Sequence, residues 1–353
     1  MIVKKLQIDN LRNLAQVSMQ PDERLNILFG DNGAGKSSIL EALVVLSRGR
    51  SYRTTQASEL VGPQKPTFSV FAQVQNPSGP NHRLGLERSG RHWRGRLDGV
   101  DLSQISQLTR LLPLVVMEPE SHLLVSGSPE YRRKYIDWGM FHVEPRFLEV
   151  WRKFSRALKQ RNVALRTGQV TVLDSLDEVL ADAGTQLGAM RRAHVESVAS
   201  HIEDLMTELG TPFPNIRIEY QPGWTGSSYL EALSAGRERD LERGATTAGP
   251  HRAELAMQQD RTPVRTVFSR GEQKLFAATL LMTQVRVLSS TENLPLVLLD
   301  DLASEFDPAN CTAVLECAYS SGCQVWVTGT RRLEHPSTHG VFHVERGRVQ
   351  EVV

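Results

Sequence analysis

The chain has 353 residues, of which 23% are charged and 40% hydrophobic, and its formal net charge is +1. That length accommodates two domains, and the composition is that of an ordinary soluble globular protein rather than a disordered or fibrous one. A near-neutral total excludes a global basic field, so any surface for nucleic acid has to be local.

No apolar run is long enough to span a bilayer, and Met1–Lys5 is not a secretory leader, so the expected location is the cytoplasm, without a membrane partner. Cys311, Cys317 and Cys323 are evenly spaced but have no C-x-x-C pair or adjacent histidines. Reduced structural thiols are therefore expected, not a metal site.

In chain order, Val3, Leu6 and Ile8 mark a short strand, followed by Leu11-Arg12-Asn13. The apolar run Leu25–Phe29 leads into a glycine-rich turn, and Ser38–Leu46 has helix-forming character. From Phe68 to Leu97 the pattern predicts antiparallel strands, and another apolar strand ends at Glu118-Pro119-Glu120. The middle third changes period. Phe147, Trp151, Phe154, Leu158 and Leu165 recur at helical spacing, and after Thr167-Gly168 a second stripe runs from Leu176 to Leu209. Two long amphipathic helices packed as an antiparallel pair are expected. A Pro/Gly/Ser/Trp-rich stretch, 212–228, separates them from the C-terminal part. There the pattern predicts a helix from about Gln273, a strand at Leu296–Leu299, a helix near Pro308–Tyr319 and a strand at Gln324–Val327. That alternation is α/β.

Gly30-Asp31-Asn32-Gly33-Ala34-Gly35-Lys36-Ser37 satisfies G-x-x-x-x-G-K-[ST] in full, between a strand and a helix. Glycines let the backbone curl so that several N–H groups point at one phosphate, and the following helix offers its N-terminus to the same anion. Lys36 is expected to reach the β- and γ-phosphates, and the Ser37 hydroxyl to ligate Mg²⁺. ATP with Mg²⁺ is the expected ligand.

Such a loop needs a second acidic anchor at the end of a neighbouring buried strand. Leu296-Val297-Leu298-Leu299-Asp300-Asp301 supplies one, with Asp300 as magnesium ligand and Asp301 placed to orient an attacking water. Lysine and aspartate stand at opposite ends of the chain, so the middle helical segment interrupts the nucleotide-binding fold. Between them Ser269-Arg270-Gly271-Glu272-Gln273-Lys274 opens a helix. The spacing of Ser269 and Glu272 is that of a capping box, and it also fits an ABC-type signature loop, whose serine meets a γ-phosphate held by another subunit.

Together these residues resemble the ABC ATPases of the SMC type. The resemblance covers the whole chain, through Leu11–Asn13, Ser51–Thr54, Gly127–Pro129 with Arg132–Trp138, Lys159–Asn162, Gly249–Arg252, Ser269–Lys274 and Asp300–Asp307. It implies an α/β ATPase head built from 1–120 and 245–353, with an inserted helical lobe over 121–244. It also implies that Arg12, Ser38, Ser269 and Gly271 join the loop in contacting nucleotide, and that Ser304–Asp307 faces the opposite subunit. By the same resemblance the chain forms an ATP-dependent homodimer on single-stranded, gapped or junction DNA. Slow hydrolysis then releases the dimer, and proteins of the RecO and RecR type cooperate in recombinational repair.

The chain departs from the transporter pattern at three places. Arg270 and Glu272 stand where glycine and glutamine are usual, Thr328-Gly329-Thr330 occupies the region of the switch histidine, and Asp301 replaces the catalytic glutamate. Two basic segments could neutralise DNA phosphates: His82–Arg96 around Trp93, and Arg152, Lys153, Arg156, Lys159, Arg161 and Arg166 on one helix. The competing readings are a nucleotide-gated scaffold without significant hydrolysis, a transporter ATPase subunit and a small-molecule kinase. The helical insertion and the Asp-Asp pair weigh against a transporter subunit, and a kinase leaves the signature helix without a role.

Overall fold

The computed structural model describes residues 1–76, 79–211, 213–289, 294–337 and 339–352. Strands β1 (Ile2–Leu11), β2 (Leu14–Met19) and β3 (Leu25–Phe29) precede the helix Lys36–Arg48. After it come β4 (Thr67–Gln75), β5 (His82–Ser89), β6 (His92–Leu97), β7 (Val100–Asp101) and β8 (Leu114–Met117). The middle of the chain contributes β9 (Ile216–Gln221), β10 (Glu254–Gln259) and β11 (Thr262–Pro263). Strands β12 (Leu296–Leu299), β13 (Val325–Gly329), β14 (Gly340–Glu345) and β15 (Arg348–Glu351) close it. Two units result. One comprises Met1–Ser121, Leu205–Thr211 and Ala278–Val353, the other His122–Asp204 and Pro212–Ala277.

The first unit holds two sheets. One is antiparallel in the order β2-β1-β4-β5-β6-β7. Its strands alternate, as β4 shows with Phe68, Val70, Ala72 and Val74 buried and the residues between them partly exposed. The other sheet runs β15-β14-β3-β13-β12-β8, parallel from β14 to β8. Its central strands are buried on both faces, so β12 reads as an unbroken apolar run. The helix Lys36–Arg48 is buried along nearly its whole length and packs against strands of both sheets. Ile39, Leu43 and Leu46 of this helix join Leu6 and Val70 of one sheet and Leu298, Trp326 and Phe342 of the other in one core.

The parallel strands place their carboxyl ends side by side. The glycine-rich loop follows β3, Thr328 lies near the end of β13, Asp300 follows β12 and Glu118 follows β8. Ligands bind in this crevice in open α/β sheets.

In the second unit the two long helices are Phe147–Thr167 and Leu173–Ala199, packed against each other. The apolar stripe that continues to Leu209 in the sequence breaks after Ala199, and Ile202–Glu208 is a separate helix. Between the helices Arg161 is wholly buried and binds Asp177 at 2.5 Å and Asp240 at 2.7 Å. Arg237 adds a second bond to Asp177 at 2.8 Å, so the cluster closes its own charge. The Pro/Gly/Ser-rich stretch is more than a linker. It contains β9, which pairs antiparallel with β10, and Trp224, whose ring stacks on Tyr229 with centroids 4.8 Å apart. All three cysteines are free and buried, and burial pushes the Cys317 thiol up to about 11. Among the described residues no cluster of His, Cys, Asp and Glu could hold a metal, and no helix is long and apolar enough to cross a membrane.

Candidate nucleotide site

The glycine-rich loop is shaped by its glycines. Gly30 has φ 149°, and a Cβ there would lie 2.1 Å from the Val344 carbonyl oxygen. Gly33 has φ 78°, and a Cβ there would meet nothing within 4 Å, so glycine serves the turn's backbone and keeps that face of the loop open. Asp31 and Asn32 are exposed on the same turn, and the Gly347 N–H donates to the Ala34 carbonyl at 2.8 Å. No side chain caps the helix that starts at Lys36, so its first N–H groups face the loop without a capping partner. That is an anion cradle.

Lys36 lies folded into the loop, its Nζ donating to the carbonyls of Gly30 at 2.7 Å and Asp31 at 2.8 Å. Burial lowers its pKa from the ordinary lysine value, against the opposing pull of Asp301, Asp300 and Asp31. Ser37 Oγ donates to Asp300 Oδ1 at 2.7 Å, which unites the two ends of the chain in one site. Asp300 is 5% exposed and also accepts from Thr328 Oγ1 at 2.8 Å and from the Tyr52 hydroxyl at 2.8 Å. Burial, then Asp300, raises the Tyr52 pKa well above the ordinary phenol, so Tyr52 stays a donor.

Asp301 has left-handed backbone at φ 53°, its N–H donates to Thr328 Oγ1 at 2.8 Å, and its buried Oδ1 has no hydrogen-bond partner. Strain and an orphaned acceptor together mark a functional position. The oxygens of Ser37 and Asp300 suit a hard divalent cation, and the loop suits a triphosphate.

A cavity of about 530 Å³ opens over the loop, lined by Asn32, Gly33, Gly35, Lys36, Ser37 and Ser38 together with Asp301 and Thr328. Its remaining wall is Arg12, Asn13, Arg53, Glu59, Val61 and Pro63. Arg12 is aimed by Glu41, which is fully buried on the loop helix and accepts from Arg12 Nε at 3.0 Å and Nη2 at 2.8 Å. Those hydrogen bonds push the Arg12 pKa up further. Asn13 Nδ2 donates to the Gly33 carbonyl at 2.8 Å and Asn13 Oδ1 accepts from Ser38 Oγ at 3.1 Å, so the strand-end Arg-Asn pair braces the loop. At the far edge of the crevice, burial pushes the Glu118 carboxyl up to about 7. Glu120 and Asp300 push the same way, and Arg48 opposes them.

The residues from Gly30 to Ser38, with Arg12, Asp300 and Asp301, thus meet in the first unit. Ser269 and Gly271 belong to the second. There the Ser269 N–H donates to Glu272 Oε2 at 2.7 Å and the Glu272 N–H to Ser269 Oγ at 3.4 Å, a reciprocal capping box on the exposed start of Arg270–Ser289. These bonds hold the Glu272 carboxyl below its usual range. Tyr52, Glu41 and Thr328 escaped the sequence-based site. Tyr52 and Thr328 sit in runs visible in the sequence, but no spacing rule links a tyrosine to an aspartate 248 residues away. Glu41 reads as one more polar position in a helix.

Residues 2–349 match the family model described as the RecF/RecN/SMC N-terminal domain. The DNA replication and repair protein RecF of Stenotrophomonas maltophilia is 40% identical over 363 residues, covering all of both chains. The protein of that name from Thioalkalivibrio sulfidiphilus is 38% identical, with 99% of each chain covered. Among solved structures, the recombination mediator protein RecF-ATP of the RecFOR pathway shares the fold. Its TM-score is 0.88 and its identity 23%, over 100% of this chain and 98% of that one.

Proposed function

We propose, from the premise that this chain belongs to the RecF family of SMC-type ATPases, that it is an ATP-dependent DNA-binding protein of recombinational repair, replication and the SOS response. The single observation that carries the reading is the Ser37–Asp300 hydrogen bond, which joins a phosphate loop to its acidic anchor. Lys36 leaves the loop carbonyls for the β- and γ-phosphates, and the free loop-helix N–H groups receive the same anion. Ser37 and Asp300 would hold Mg²⁺, which would neutralise phosphate charge. Asp301, which lines the cavity over the loop, orients the attacking water.

ATP joins two copies of the chain on single-stranded or gapped DNA in the cytoplasm, with Ser269 and Gly271 of the signature loop closing on the partner's phosphates. Proteins of the RecO and RecR type then take part in loading the recombinase. For DNA, the helix Phe147–Thr167 is the better of the two basic segments. In the β5–β6 hairpin Arg83 and Arg91 are exposed without an ion pair among the described residues, but His82 pairs with Asp98, Arg94 and Arg96 both pair with Asp101, and Arg88 is buried over the Trp93 ring. On the helix, Arg161 is buried and Lys153 pairs with Asp182, but Arg156, Lys159 and Arg166 are exposed and form no ion pair among the described residues. Such residues neutralise phosphates without reading sequence.

The alternative, a nucleotide-gated scaffold that does not hydrolyse, differs in one measurement. Phosphate release with and without gapped DNA, alongside Lys36→Arg, separates them. DNA-stimulated release abolished by the substitution supports the ATPase, and no release under any condition supports the scaffold.

A further inference from the structure

Asn10 is a polar side chain with 0% exposure that neither the phosphate loop nor its acidic anchor uses. Its side chain makes four hydrogen bonds, all to one loop. Nδ2 reaches the carbonyls of Gly62 at 3.2 Å, Lys65 at 2.8 Å and Thr67 at 2.7 Å, and Oδ1 accepts from the Gln64 N–H at 3.2 Å. The backbone adds to this seam. The Gly62 N–H donates to the Asn10 carbonyl and the Arg12 N–H to the Leu60 carbonyl, both at 2.8 Å, and Leu11 bridges Val61.

The approach is close, since a Cβ on Gly62 would lie 2.5 Å from Asn10 Oδ1 and 2.8 Å from the Arg12 carbonyl oxygen. Asn10 and Arg12 are also both left-handed, at φ 54° and 56°, a conformation non-glycine residues keep only when their surroundings enforce it. The seam therefore anchors a loop that is otherwise exposed, since Pro63, Gln64, Lys65 and Pro66 all face solvent.

Two residues of this loop, Val61 and Pro63, line the nucleotide cavity, with Glu59 just before them. A triphosphate on Gly33–Ser38 uses the phosphate end of that cavity. Of the remaining lining, Arg12, Asn13, Arg53 and Glu59 are polar, and Val61 and Pro63 supply the apolar part, against which a flat base and sugar can pack.

We propose that Asn10 is a positioning residue that holds the loop Val61–Thr67 as the nucleoside-facing wall of the site. It would contribute affinity for the base and sugar of a nucleoside triphosphate and none for the phosphates. The inference rests on the reading of the cavity as an ATP site.

Titration calorimetry on the full chain with Mg²⁺ tests it, using ATP and inorganic tripolyphosphate, which carries the charge without the nucleoside. In Asn10→Ala, ATP affinity is expected to fall about tenfold or more, as unsatisfied carbonyls release the loop, while tripolyphosphate affinity stays within about twofold. Val61→Ala with Pro63→Gly thins the wall without touching the seam, and the same split is expected. An equal loss for both ligands in the double variant, or no loss of ATP affinity in either variant, overturns the proposal. Wild-type protein that binds ATP normally in that case leaves the ATP-site reading standing. Wild-type protein that binds neither ligand overturns both.

Discussion

Replacing Glu41 with glutamine tests how the nucleotide site aims Arg12. Glu41 has no solvent exposure, and both its oxygens are engaged. Oε1 accepts from Arg12 Nη2 at 2.8 Å and from Ser51 Oγ, and Oε2 accepts from Arg12 Nε at 3.0 Å and Arg53 Nη1 at 3.4 Å. Glutamine keeps the shape and one acceptor but turns an NH₂ toward a guanidinium donor. Breaking one side of a buried pair costs about 3–5 kcal/mol. Here the cationic partners keep partial access to water, with side chains 21% exposed for Arg12 and 44% for Arg53. We therefore expect a loss of about 2–4 kcal/mol, below the full penalty for a buried pair. Urea denaturation followed by fluorescence and circular dichroism measures it, with coincidence of the two probes checked first. ATP affinity should fall in the same variant, because Arg12 loses the partner that points it into the cavity. A stability change below about 0.5 kcal/mol with unaltered ATP affinity would refute the reasoning.

Two other substitutions address the crevice. Asp300→Asn removes a carboxylate that would hold Mg²⁺, so the extra thermal stabilisation that Mg²⁺ adds to ATP should disappear, and its persistence would put the metal elsewhere. Glu118 has a folded-state pKa of about 7 against an ordinary 4.5. Its folded form therefore holds the proton more tightly than the unfolded chain. Its stabilising contribution is complete below 4.5 and is lost as pH rises through 7. Glu118→Gln should gain stability relative to the parent between pH 5 and pH 8, a difference read from denaturation midpoints at the two values. A pH-independent difference would mean that Glu118 ionises normally.

The sequence disclosed the parts of the site whose chemistry is local. A glycine-rich loop between strand and helix, and a four-residue apolar strand ending in Asp300, are spelled out in consecutive residues because backbone geometry demands them. Leu296–Leu299 and the two long helices flanking Gly168 are legible for the same reason: burial period shows in the pattern. What stays hidden depends on distant partners. Asn10 reads as a polar residue in a strand, yet its four bonds reach residues 52 to 57 positions on. Strand β9 is obscured by the prolines and glycines around it, since its partner β10 begins more than thirty residues later. Arg161 looks like one basic residue in a helical row until Asp177 and Asp240 enclose it. Charge in sequence does not say which charges will be matched.

The central claim is that ATP, bound by Lys36 and the Ser37–Asp300 pair, joins two copies through Ser269. Sedimentation velocity of the full chain with ATP and Mg²⁺, with ADP and Mg²⁺, and without nucleotide tests it most directly. The expected result is a dimer with ATP alone, lost in Ser269→Arg although that variant still binds ATP. A monomer under all three conditions, or a dimer indifferent to nucleotide and to Ser269, would contradict it.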